Sequence, residues 1–239
     1  MDDKIIAMII GQNCEKTIGM CLESVKNADE IVFLDGGSED NTLNITQNFP
    51  KTTVIHNPWD NTDKEMNGKQ RNFYLNWLKE NHMGEWCIVL DADEVLEDFG
   101  IEKLKNFLMG EGKNRTCLIS PRIHHFIGDL GHEDATREVH YVPHRIFRIV
   151  EALTYPLGAH PVLQGISELG KIDIHLWHFR ECLGVFNTNK KHIDNWGKSE
   201  IHPKGYLQWW YHQMLFGNYP RKSVYYGDIP TVIKERFGI

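Results

Sequence analysis

Hydrophobic positions along the first hundred residues follow two alternating rhythms. Ile5 to Ile10 is an unbroken apolar run, the pattern of a strand buried on both faces. Gly11-Gln12-Asn13 ends it, and Ile18, Cys21, Leu22 and Val25 then recur at helical spacing. Glu30 to Leu34 predicts a second strand, closed by Asp35-Gly36-Gly37-Ser38. Asp40 or Asn41 is placed to cap a helix through Phe49. Thr52 to His56 predicts a third strand, and Trp86 to Leu90 a fourth. Between them a helix starting near Gly68 carries Phe73, Trp77 and Leu78 on one face. Strands alternating with helices imply a mainly parallel sheet with right-handed crossovers, an α/β fold.

The rhythm changes after Asp93. Ile101 to Met109 predicts an amphipathic helix. Cys117 to Ile123, Arg145 to Ile149 and Ile172 to Trp177 predict strands, partly antiparallel. The polar stretch from Gly128 to Pro143, rich in His and acid, predicts a long loop or lid. From Phe186 the chain is aromatic and basic in patches: Trp196, Trp209, Trp210, Tyr211, Arg221 and Lys222. This shift in texture divides the chain into a core over 1–180 and a C-terminal extension over 181–239 that packs on it. Packing of a C-terminal helix is also the simplest use of Trp209-Trp210-Tyr211.

Composition narrows the partners. The 239 residues allow one large domain, or one core with an appended segment. A net charge of -7 argues against a nucleic-acid binder. No apolar run is long enough to span a bilayer, and Met1-Asp2-Asp3-Lys4 does not resemble a signal peptide. The five cysteines, Cys14, Cys21, Cys87, Cys117 and Cys182, are odd in number and form no CxxC pair. A reduced cytoplasmic setting is expected, with peripheral contact at the inner face of a membrane left open.

Candidate chemistry centres on Trp86-Cys87-Ile88-Val89-Leu90-Asp91-Ala92-Asp93-Glu94. Here an apolar strand runs into two carboxylates one residue apart, on the same side of an extended or turning segment. Such a pair can hold a hard divalent cation, Mn2+ or Mg2+, with positions left for substrate phosphates. Asn13 follows strand one, Asp35 strand two, and Asp91 and Asp93 strand four. All lie at the carboxyl edge of the sheet, where open α/β folds bind ligands.

The segments "AMIIGQNCEKTIGMCLESV", "IVFLDGGSEDNT", "GKQRNFYLNWL" and "WCIVLDADEVL" resemble, in order and spacing, glycosyltransferase family 2, and most closely its lipopolysaccharide-core glucosyltransferase-like members. The resemblance covers residues 4–98 and implies a GT-A fold, a Rossmann-like, mainly parallel sheet flanked by helices, here with a C-terminal helical and aromatic extension. It also implies residue roles. Asp35 matches the aspartate that contacts the nucleotide base. Asp91 and Asp93 match the DXD motif, which binds the metal and, through it, the diphosphate of the donor. Asn13 and Glu15 match the loop near the nucleotide, and Gln70, Arg71 and Asn72 the segment close to the donor. His178 resembles a third metal ligand supplied from the C-terminal side. Where the family often carries a second acid after the position of Asp35, this chain has Gly36.

The implied activity is inverting, metal-dependent transfer of a sugar from a nucleotide-diphosphate sugar, UDP-linked above others, to an acceptor hydroxyl. The acceptor is a carbohydrate, a lipid-linked group or a protein. Inversion requires a general base to deprotonate that hydroxyl. Glu133 and Asp134, in Gly131-His132-Glu133-Asp134, are the candidates by position and type. A competing alignment puts the base near His160, where Pro161 stands in place of the family's acid. Two other readings compete with transfer. One is a nucleotide-sugar or carbohydrate-binding protein without a base. The other is a haloacid-dehalogenase-like phosphatase using Asp91 as nucleophile, which lacks the later acidic pair that chemistry needs.

Overall fold

A computed structural model of the chain describes residues 3–60, 62–63, 65–112, 117–119, 122–127, 130, 132–134, 145–158, 161–165, 169–181, 222–224 and 228–237. Within them the elements are β1 (Ile5–Gly11), α1 (Ile18–Ser24), β2 (Glu30–Asp35), α2 (Thr42–Thr46), β3 (Thr52–His56), α3 (Met66–His82), β4 (Trp86–Asp91), β5 (Glu94–Leu96) and α4 (Gly100–Met109). They continue with β6 (Cys117–Ile119), β7 (Arg122–Ile127), β8 (His132–Asp134), β9 (Ile146–Arg148), β10 (Leu169–Lys171), β11 (His175–Glu181), β12 (Lys222–Val224) and α5 (Thr231–Phe237).

The predicted parallel sheet is present. Its order is β10-β6-β9-β4-β1-β2-β3, and β9 alone runs against its neighbours. The unbroken apolar runs occupy its centre because helices cover both faces. One side packs Ile5, Ala7, Ile9, Phe33 and Leu90 against α1 and α4 through Ile18, Cys21, Leu22, Ile101 and Leu104. The other packs Met8, Val32, Leu34 and Val89 against Tyr74, Leu75 and Leu78 of α3. A second sheet, β12-β8-β7-β11-β5, branches off immediately after Asp93.

Three sequence expectations are corrected. The face of α3 is not marked by Phe73, which is 39% exposed, but by Tyr74, Leu75 and Leu78, each buried. At its first turn Gly68 approaches residues 156–158 so closely that a Cβ would lie 2.6 Å from the Pro156 carbonyl. The run Cys117 to Ile123 is divided between β6 and β7, which belong to different sheets. Part of the expected loop, His132–Asp134, is a strand. The division at residue 180 falls at the end of β11, and residues 182–221, including the Trp209-Trp210-Tyr211 cluster, lie outside the described residues. Beyond them, α5 packs Ile233 against Met20, Val95, Phe126, Trp177 and Phe179. No helix among the described residues is long and apolar enough to cross a membrane.

Candidate functional site

Parallel pairing in register aligns three strand ends. Gly11 pairs with Asp35 and Ile10 with Asp91, so the loops after β1, β2 and β4 leave the sheet side by side. The loop carrying the two aspartates turns against the end of β1. The Ala92 N–H donates to the Ile10 carbonyl at 2.9 Å, and a Cβ on Gly11 would lie 2.6 Å from the Ala92 Cβ. Gly11→Ala is therefore expected to destabilise the fold by about 1–3 kcal/mol, because the close-packed neighbour is a backbone-fixed methyl. Denaturant unfolding checks this, and an unchanged midpoint would mean the loop yields freely.

The first two loops brace each other. Asn13 sits at a left-handed φ of 53°, a conformation asparagine tolerates better than most residues. Its Oδ1 accepts the Glu39 N–H at 2.8 Å, and Glu15 Oε2 accepts the Asn41 N–H at 3.1 Å. The Asp35 side chain is almost wholly buried and accepts the N–H groups of Gly37 and Ser38 at 3.1 Å, with His56 Nδ1 3.3 Å from its Oδ2. Asp35 thus shapes the turn at the sheet edge. Gly36, where the resemblance led one to look for an acid, is enclosed: a Cβ there would meet Gln12, Trp59 and the Gly11 carbonyl at 3.1–3.4 Å.

Asp91 is the electrostatic centre. Its Oδ1 takes Arg71 Nη2 at 3.3 Å and its Oδ2 takes Arg145 Nη2 at 3.2 Å. The same Arg145 nitrogen donates to Glu94 Oε1 at 2.7 Å, and Glu94 Oε2 accepts the Asp91 N–H at 2.8 Å. A closed ring of bonds therefore fixes both the backbone and the carboxylate of Asp91. Burial alone would raise the Asp91 carboxyl, but Arg145 and Arg71 outweigh it and hold it well below the usual range. Burial pushes the Glu94 carboxyl up, with Arg145 opposing. The ionised form of Glu94 is the one these contacts use, since both its oxygens act as acceptors. Arg71 also lies over the Tyr155 ring, 5.9 Å from its centroid.

Asp93 turns to a different partner. His178 Nε2 lies 3.6 Å from Asp93 Oδ1, and His178 Nδ1 lies 2.8 Å from His125 Nδ1. With the proton on His178 Nδ1, Nε2 presents a lone pair toward the Asp93 carboxylate. One oxygen and one imidazole nitrogen so arranged suit a divalent cation that draws its remaining ligands from water and phosphate. Among the described residues no three His, Cys, Asp or Glu side chains form a closed metal cluster.

Not every expected residue joins this group. Gln70 is fully buried, with Oε1 accepting from Asn57 Nδ2 at 3.0 Å and Nε2 donating to the Asn57 carbonyl at 2.7 Å. Asn72 exchanges two hydrogen bonds with the backbone of Tyr155. Both act as braces for the segments flanking Arg71. Glu133 pairs in register with Phe126 and contacts His124 Nδ1 at 3.2 Å. Strand alternation puts His124 and Phe126 on one face of the second sheet, and His125 with its register partner His178 on the other. Glu133 therefore lies on the face opposite His178. Asp134 occupies the next position of β8, and His160 lies outside the described residues.

Arg145, Glu94 and His125 were not singled out from the sequence. Glu94 had a visible cue, standing in the Asp-Ala-Asp-Glu run. Arg145 is brought in only by the pairing of β9 with β4, and His125 only by that of β7 with β11.

The model of the family described as glycosyl transferase family 2 matches residues 7–155. The chain belongs to this family, as the motif resemblance implied. Among curated proteins it is similar to the lipopolysaccharide core biosynthesis glycosyltransferase LpsC of Rhizobium meliloti (strain 1021), with 32% identity over 95 residues. That match spans 38% of this chain and 32% of LpsC, about a third of the relative's length. Among solved structures, TarS 1-349 of S. aureus matches with a TM-score of 0.54 at 15% identity, over 89% of this chain and 69% of TarS 1-349. The same protein in complex with UDP matches with a TM-score of 0.54, covering 70% of that chain. These likenesses are to the fold.

Proposed function

We propose that the chain transfers a sugar from a nucleotide-diphosphate sugar to an acceptor hydroxyl with inversion, using Mn2+ or Mg2+. The observation that carries this reading is the meeting of Asp91, Asp93, Arg71, Arg145 and His178 at the carboxyl edge of β1, β2 and β4. Asp93 and His178 would hold the cation. When bound, it would offset the charge that grows on the diphosphate leaving group. Arg71 adds a fixed positive charge beside that group, held in place by Asp91 and Tyr155. Asp35 and the braced loops of Asn13 and Glu15 form the side of the cleft where the nucleoside sits.

A UDP-linked donor is the first choice, by the family resemblance and by the fold shared with TarS, which was solved with UDP. A base activates the acceptor from the face opposite the leaving group. Glu133 is held by His124 on the far face of the second sheet, so the role passes to Asp134, with His160 next. The acceptor is a carbohydrate, a lipid-linked group or a protein, and work at the inner face of a membrane fits those classes.

A thermal-shift panel of UDP-, GDP- and dTDP-sugars, each with and without Mn2+, tests the reading. At about 100-fold excess over Kd a ligand adds about 2.7 kcal/mol of stability. The expected result is a rise of several degrees for one nucleotide class that needs Mn2+ in full. No shift with any donor overturns the proposal. A shift without donor hydrolysis or transfer points instead to a binding protein.

A further inference from the structure

Arg145 has features the proposed reaction does not explain. It is 5% exposed, yet its side chain serves two carboxylates through a single nitrogen, Nη2. Its Nε and Nη1 are buried and have no hydrogen-bond partner among the described residues. Buried donors left unpaired are costly and rarely kept without a reason. Its backbone is fixed as well, because the Arg145 carbonyl accepts the Val89 N–H at 2.8 Å. Main chain and side chain thus clamp the end of β4 at two points, Val89 and Asp91.

The charges around this clamp have a consequence. Asp91, Asp93 and Glu94 supply three carboxylates, and Arg71 and Arg145 two guanidiniums. Both oxygens of Asp91 are engaged by arginine, so Asp93 is left as the anionic partner of His178. Among the described residues, a bare divalent cation beside Asp93 and His178 therefore meets two nearby guanidiniums, Arg71 and Arg145. A diphosphate brings the missing negative charge and oxygen ligands.

We propose that Arg145 is a positioning residue that holds the Asp91 carboxylate away from the cation, so that the cation is taken up together with the diphosphate rather than alone. This rests on the metal-dependent reading above. Arg71 assists from the other oxygen. Arg145 sets the geometry, because it is the buried partner and is tied to Glu94. Without it, Asp91 is free to turn toward Asp93 and complete a cation site made of protein ligands alone.

The test measures Mn2+ binding without nucleotide, by the loss of the free-ion electron paramagnetic resonance signal. UDP binding with and without Mn2+ is followed by calorimetry. Arg145→Met is compared with wild type, Arg145→Lys and the double variant Glu94→Gln/Arg145→Met. The double variant removes the carboxylate that the single change leaves buried without a counter-ion, and it serves if the single variant does not fold. The expected result is Mn2+ binding at least about tenfold tighter than wild type, together with weaker Mn2+-dependent UDP binding. Arg145→Lys should return Mn2+ affinity toward wild type. Adding Asp91→Asn should abolish the gain, because the gain comes from Asp91. A purely structural role for Arg145 would weaken both ligands together. Folded variants whose Mn2+ affinity is unchanged or lower overturn the proposal. The proposed function fails separately, if wild type binds no nucleotide or nucleotide sugar under any metal condition.

Discussion

The Asp93→Asn variant is expected to keep its fold and lose metal-dependent donor binding. The side chain is partly exposed and close in shape to the amide, so packing changes little, while the charge facing His178 disappears. Loss of a residue that merely supports a metal ligand costs 10–100-fold in affinity or activity. Loss of the ligand itself should exceed that, so transfer should fall by more than about 100-fold. Mn2+ should then no longer improve donor binding. Calorimetric titration of UDP with and without Mn2+ checks this, alongside circular dichroism for the fold. If Mn2+ strengthens UDP binding to the variant as it does to wild type, the cation is held elsewhere. Asp91→Asn provides the contrast. Its charge is matched by Arg71 and Arg145, so its loss should disturb the arginines and the diphosphate more than the cation.

The sheet that positions these residues was legible in the sequence for a clear physical reason. A strand buried on both faces must be apolar throughout, and the Ile5–Ile10, Glu30–Leu34 and Trp86–Leu90 runs have few other uses. Once they pair in parallel, the polar residues that end them must lie at one edge. The approach of Asn13, Asp35, Asp91 and Asp93 follows from that pairing. The features that were not legible depend on tertiary contacts. Phe73 looked like a buried aromatic, but α3 turns Gly68 and Gln70 inward. Gln70 can be buried because Asn57 and Pro58 satisfy its amide. Arg145 lies 54 residues from Asp91, and only the antiparallel placement of β9 brings it there. Glu133 shows a limit of reading by residue type: the sequence marks an acid in a His-rich stretch, and only the strand pairing shows that its carboxylate meets His124.

The acid pair of β8 carries the last prediction. Asp134→Asn should lower transfer by a factor of roughly 100 or more, the size expected for loss of a general base. Donor and UDP affinity should survive, because Asp93, His178 and Arg71 remain. Glu133→Gln should leave turnover within about threefold, because its carboxylate serves His124 rather than the acceptor. The two residues are adjacent in one short strand, so general damage to β8 would affect both variants alike, whereas a base would be lost in one alone. Initial rates at saturating acceptor, with UDP affinity measured on the same preparations, separate turnover from binding. Should Asp134→Asn retain full transfer, the base moves to His160, where His160→Gln becomes the decisive variant. A large loss in Glu133→Gln alone would instead mean that the acceptor reaches the His124 face, and the assignment of the two faces would have to be reversed.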